Sequence, residues 1–328
     1  MSKIPLLKNS FSRIILSLIV VFVVVSATSM NFGKNDSAQV VLSNSYKTEQ
    51  ISTVAKPLGI KYYESPSIPK HVEFAGERVP LECNDVFESL DRELMSHAYF
   101  HSQTLRYIKL SKRYFSIVEP ILKKYNIPDD FKYLMVAESG MNETAVSPAR
   151  AAGLWQFLAS TAKSHGLTIS SEVDERYHVE KSTVAACDHL QWLYNQFGSW
   201  TLVCASYNCG IGGLKNQISR QKTNSYYDML LNSETARYVY RILGFKLIME
   251  NPELYNFHVA DNEYYPLWNT KYITIDSTVT DFGTFANNMG LNYKILKEFN
   301  PWLRDNKLNN PNKTVYKIKI PLEGYKRN

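Results

Sequence analysis

In the segment Pro128 to Gly140, Phe131, Leu134, Met135 and Glu138 fall at i, i+3, i+4 and i+7. On a helix that spacing puts the Glu138 carboxyl on the same face as three large apolar side chains. A carboxylate placed there is desolvated, opens onto a cleft, or is paired. Desolvation disfavours the charged form and raises the pKa. A glutamic acid that keeps its proton near neutral pH can protonate a leaving oxygen, as general-acid cleavage of a glycosidic bond requires. By itself the segment is also compatible with a helix-end residue turned to solvent or held in a structural ion pair.

The elements around it read as helical. Pro128 suits a first helical turn, and Asp129 and Asp130 suit the positive end of the helix. An apolar stretch from Val86 to Tyr125 predicts helix, with a break near Pro120. Further helices are expected over 157–165, ending at Gly166, and over 180–197, ending at Gly198. Val184, Cys187, Leu190, Leu193, Tyr194 and Phe197 form the stripe of the latter. Two more are expected over 200–207 and 233–249. The texture changes after Asn251-Pro252. A strand at Tyr272–Ile275, helices over 279–289 and 293–299, and a strand ending before Pro321 give the order βααβ.

Downstream of Glu138 an ordered series of short motifs appears. Ser139, Asn142, Ala145 and Ser147 follow the acid, then Gly153-Leu154-Trp155-Gln156, then Ser206-Tyr207-Asn208 with Gly210, then Glu234-Thr235-Ala236-Arg237-Tyr238-Val239. Phe74-Ala75-Gly76-Glu77-Arg78-Val79-Pro80 stands ahead of them. Together they resemble the lytic transglycosylases of glycoside hydrolase family 23, in the pattern of the membrane-bound murein transglycosylase D type. The resemblance spans about residues 72 to 250. It departs from the family at Ser206, where Ala is usual, and at Cys209, where a small residue is usual.

The resemblance implies a mainly α fold, with a lysozyme-like helical catalytic domain. It implies cleavage of the β-1,4 bond between N-acetylmuramic acid and N-acetylglucosamine in peptidoglycan. Glu138 would protonate the leaving oxygen and then accept the proton of the muramoyl C6 hydroxyl, giving a 1,6-anhydro product for cell-wall remodelling or turnover. Ser139, Gln156, Tyr207, Asn208 and Tyr238 would contact the glycan. No cofactor and no metal are implied. A two-carboxylate glycosidase would need a partner at a defined separation. The nearest acids in sequence, Glu143, Asp174 and Glu175, match no family motif. The alternatives are a lysozyme-type hydrolase and a non-catalytic peptidoglycan-binding protein of the same fold. Trp155 and Tyr207 could be stacking platforms or core. The C-terminal module resembles a LysM domain through Phe285-Ala286, Gly290, Leu296, Asn300-Pro301 and Ile318-Lys319-Ile320-Pro321. Asp276-Ser277-Thr278-Val279 departs from its first-loop pattern.

The expected layout is a signal peptide (1–27), a linker (28–70), the lysozyme-like domain (71–250), a connector (251–271) and the LysM-like domain (272–328). Lys3, Lys8 and Arg13, an apolar run from Ile14 to Val25 and small residues after it predict export to the periplasm or cell envelope. Membrane association through a retained N-terminus is the variant of that reading. The 328 residues are 45% hydrophobic and 21% charged, enough for about two folded domains and too apolar for a disordered chain. Net charge is +6, and the three basic residues of the leader account for half of it. No run of five basic residues occurs, which argues against nucleic acid as a partner. The four cysteines form no C-x-x-C pair and suggest no zinc site.

Overall fold

The computed structural model describes residues 64–322. The expected signal peptide and residues 28–63 of the expected linker lie outside the described residues. Among the described residues no helix is long and apolar enough to cross a membrane.

A short hairpin opens the described chain: β1 (Glu73–Phe74) pairs antiparallel with β2 (Glu77–Arg78). Ala75 and Gly76 turn it with φ of 53° and 79°. Two long helices follow, α1 (Asn84–Tyr99) and α2 (His101–Lys124). The break expected near Pro120 lies instead at Phe100, whose φ and ψ of −89° and 59° are not helical. Pro120 sits inside α2. Proline there removes one backbone hydrogen bond. Val118 and Leu122 on either side of it are fully buried and hold the helix against the core.

Next come α3 (Phe131–Ser139), α4 (Ala159–Ser164), α5 (Val179–Phe197), α6 (Trp200–Cys209), α7 (Ile211–Gln221) and α8 (Ser233–Glu250). α7 has Leu214 as its one buried residue, and Gly210, Gly212 and Gly213 read as loop in sequence. α8 is the hub: α1, α3 and α6 all pack on it. Its buried Tyr238, Val239, Ile242, Leu243, Phe245 and Ile248 join one core with Leu90 and Leu94 of α1 and Phe131, Leu134 and Met135 of α3. At about 25 cal/mol per Å² of apolar surface, burial of such side chains stabilises by about 1.5–3 kcal/mol each before entropy is set against it.

Glu77 ties the hairpin to α6. Its carboxylate accepts from the backbone N–H groups of Trp200 and Thr201 and from the hydroxyls of Ser199 (2.9 Å) and Thr201 (2.8 Å). Those N–H groups have no partner within the helix, so a distant side chain caps it alongside the local cap Ser199, whose hydroxyl accepts from Leu202 N–H (3.4 Å). Glu77→Ala is expected to cost about 2–3 kcal/mol in urea unfolding. A change below about 0.5 kcal/mol would show that the cap contributes nothing.

Beyond α8 the chain runs through two short 3₁₀ turns and back along α2, where Tyr265 N–H donates to Lys109 O. β3 (Thr270–Ile275), α9 (Phe282–Asn288), α10 (Tyr293–Phe299) and β4 (Tyr316–Pro321) follow. β3 and β4 pair antiparallel with Ile273 opposite Ile318. The core of this module also takes in Ala152, Val173 and Tyr177 of the helical part. Asp174 N–H donates to Trp302 O (2.9 Å) and Arg304 N–H to Glu172 O (2.7 Å), so backbone bonds as well as side chains fasten the two parts. The mainly α fold class with a small βααβ module is the one observed.

Candidate active site

α3 presents Phe131, Leu134 and Met135 fully buried, and Glu138 one turn later, half-buried. The helix then ends at Gly140 in the left-handed region (φ 58°). A Cβ on Gly140 would lie 2.3 Å from the Tyr107 hydroxyl, so no other residue fits without displacement. Burial pushes the Glu138 carboxyl up from 4.5 to about 7. A hydrogen bond from Tyr238 and the charge of Arg241 pull the other way, and Glu234 adds a smaller upward push.

Tyr238, buried on α8, donates its hydroxyl to Glu138 Oε1. Its own ionisation is pushed well up by burial and by the neighbouring carboxylate. The phenol is therefore a fixed donor at any ordinary pH. One turn earlier on the same helix, Thr235 donates its hydroxyl to Asn208 Oδ1 (2.8 Å). α8 thus locks the acid of α3 and the amide at the end of α6 into one arrangement.

The remaining expected contacts are placed as follows. Ser139 Oγ donates back to Met135 O (3.2 Å). Gln156, at φ 47°, donates from Nε2 to Gly153 O (2.8 Å) and Ala145 O (3.3 Å), closing the loop that follows the acid. Tyr207 donates its hydroxyl to Trp155 O (2.6 Å). Burial first, and then the charge of Glu138, raise its pKa. Trp155 itself is wholly buried, with Nε1 donating to Thr183 Oγ1 (3.0 Å), and so belongs to the core. Gly153 takes φ 79°, and a Cβ there would fall 1.9 Å from Arg176 O.

The other acids are occupied elsewhere. Asp174 pairs with Arg176 (2.7 Å). Glu175 pairs with Lys181 and accepts from Thr168 N–H (2.8 Å). Glu143 lines a separate cavity against the C-terminal module. Among the described residues the hydrogen-bond partner of Glu138 is Tyr238 alone. Among them, too, no group of three or more His, Cys, Asp or Glu side chains is placed to hold a metal ion. The arrangement is one protonatable carboxyl, held by one phenol, at the edge of an apolar core. Thr235 and Arg241 carry no role in the sequence reading, although both sit in or beside the Glu234–Val239 motif that drew attention to α8.

The description "Transglycosylase SLT domain" matches residues 116–230, which include Glu138, Gln156, Tyr207 and Asn208. The chain carries an SLT domain. Residues 271–324 match the "Soluble lytic transglycosylase C-terminal LysM-like domain". Tyr238, the partner of the acid, lies beyond the matched SLT span. The membrane-bound lytic murein transglycosylase D of Escherichia coli K12 is 28% identical over 243 residues, 72% of this chain and 52% of that protein. The same-named protein of Escherichia coli O6:H1 gives the same values. The chain therefore spans about half the length of these relatives. The crystal structure of the 70 kDa soluble lytic transglycosylase Slt70 of Escherichia coli is similar to 46% of this chain, and the match covers 27% of that one, at 22% identity and a TM-score of 0.36.

One departure in the SLT domain has an energetic signature. Ser206 is buried on α6, and its hydroxyl has no hydrogen-bond partner among the described residues. A desolvated, unpaired hydroxyl is costly, and Ala is the better helix former. Ser206→Ala is expected to raise stability by about 1 kcal/mol in chemical denaturation. A loss of stability would show that the hydroxyl is satisfied.

Proposed function

We propose that the chain is a peptidoglycan lytic transglycosylase, with Glu138 as its general acid and base. The observation that carries this reading is the Glu138 carboxyl, half-buried, shifted to about 7 and held by Tyr238. Near neutral pH a large share of it is protonated and can give its proton to the glycosidic oxygen as the bond to N-acetylglucosamine breaks. The resulting carboxylate then takes the proton of the muramoyl C6 hydroxyl as that oxygen attacks the anomeric carbon. The acid is regenerated, and no water enters the products. One carboxyl suffices for both steps, which fits a site whose neighbouring acids are tied up in ion pairs or face elsewhere.

Ser139, Gln156, Tyr207 and Asn208 form the wall around the acid in this reading. Asn208 offers its amide N–H₂ to an N-acetyl carbonyl while Thr235 holds its oxygen. The basic leader and apolar run of the first 27 residues, and the relatives named as membrane-bound, support a place in the cell envelope. Mass spectrometry of muropeptides released from purified sacculi tests the proposal. Glycan ends carrying 1,6-anhydromuramic acid, lighter by one water than hydrolysed ends, are expected. Reducing muramic ends without anhydro ends would replace it with hydrolysis.

A further inference from the structure

A large cavity among the described residues does not contain Glu138. It has a volume of about 940 Å³ and lies where α2, the loop after α3 and the start of α5 meet the connector, β3 and α10. That is the size of a site that encloses a ligand of several rings or residues.

Its charges are unbalanced in a specific way. Arg113, Lys297 and Arg304 line it, and none pairs with a carboxylate among the described residues. Each is held by neutral groups instead. Arg113 donates to Pro266 O (3.0 Å) and lies over the Trp268 ring at 5.1 Å. Lys297 donates to Asp305 O (2.8 Å), and burial lowers its pKa to about 8. Arg304 donates to Pro301 O (2.9 Å) and stacks on Tyr177 at 4.2 Å.

The acids of the cavity offset these cations only in part. Glu180 is engaged by Lys319 (2.6 Å) and by His178 (3.2 Å). Glu298 sits 3.6 Å from Lys294. Glu143 makes no hydrogen bond or close ion pair among the described residues, and burial raises it to about 7 against the pull of Lys319 and Arg113. The rings of Trp268, Tyr272 and Tyr293 complete the wall and suit the flat apolar face of a sugar or peptide unit.

We propose that this cavity is a second binding site, separate from the Glu138 cleft, for a small fragment bearing free carboxylates. Carboxylate-to-guanidinium contacts in a partly desolvated site are short, strong and directional. A neutral glycan would leave these cations unmatched. Binding would also staple the C-terminal module to the helical part, because both contribute walls.

The choice of probe rests on the proposed function. Calorimetric titration of the full chain with N-acetylmuramoyl-alanyl-glutamate, which has no glycosidic bond to be cut, tests the site. Saturable binding is expected, weakened roughly tenfold or more by Arg113→Gln with Arg304→Gln. Tri-N-acetylchitotriose is expected to be insensitive to the same pair. Lys294→Gln, on the exposed rim, is expected to weaken the acidic probe to a lesser degree, and decides the matter should the double variant lose its thermal transition. No binding of the acidic probe, or binding untouched by these substitutions, overturns the proposal. Sacculus cleavage by the double variant with Glu138 intact is read separately. Loss of the second site leaves anhydro products in place, and failure of the catalytic reading removes them from the parent as well.

Discussion

Purified sacculi treated with the Glu138→Gln variant are expected to stay intact, with the rate of glycan cleavage lowered by about 10²–10⁴-fold or more. Glutamine keeps the size and polarity of the side chain and removes the transferable proton. The pH dependence of the parent follows from the shifted carboxyl. Its acid form predominates below about 7, so cleavage is expected to decline about tenfold per pH unit on the alkaline side of that value. Stability moves in the same direction for a related reason. A carboxyl raised from 4.5 to about 7 on folding contributes stability that is full below about pH 4.5 and is lost as pH rises through 7. Glu138→Gln, which has no charge to desolvate, is therefore expected to be more stable than the parent at pH 8, by about 1–3 kcal/mol, and nearly equal to it at pH 4.5. Thermal unfolding at the two pH values checks this. A variant that cleaves at the parent rate, or is destabilised at pH 8, would remove Glu138 from its role.

Tyr238→Phe is expected to lower the maximal cleavage rate by about 10–100-fold and to move the alkaline limb to higher pH. Both effects come from one hydrogen bond. The phenol donates to Glu138 Oε1, which fixes the carboxyl and favours its ionised form. Without it the carboxyl is free to rotate and keeps its proton to a higher pH. A purely structural role for Tyr238 would reduce the amount of folded protein and leave the pH profile of the survivors in place. An alkaline limb that moves to lower pH would contradict the assignment. The full pH profile of kcat separates these outcomes.

The parts legible in sequence were those governed by local periodicity. The i, i+3, i+4, i+7 spacing placed Glu138 beside Phe131, Leu134 and Met135, and those three are buried with Glu138 half-buried next to them. The stripe of α5 and the stops at Gly166 and Gly198 are local features of the same kind. Illegible features depended on partners far along the chain. Pro120 remains helical because Val118 and Leu122 are buried around it, overriding the local rule. α7 forms although three glycines stand at its start, because the packing of Leu214 compensates for their poor propensity. Glu77 reads as a motif letter in sequence, and only the fold reveals it as a cap of a helix more than a hundred residues later. In sequence, Trp155 suits a stacking platform or the core equally. Its indole N–H bonded to Thr183, inside the core, decides the second. The cavity between the two parts had no sequence signature, since its cations come from α2, α10 and the segment after α10.

The acid and its phenol lie a hundred residues apart, on α3 and on α8. α8 is also the last helix of the helical part, so Tyr238 joins the chain a hundred residues after Glu138. Nascent, truncated or partly folded chains that expose α3 without α8 therefore hold an unaligned glutamate and no site. On the proposed function, catalytic competence would be a late product of folding. On that same reading, a wall-cutting chain would stay inert until its tertiary structure has closed.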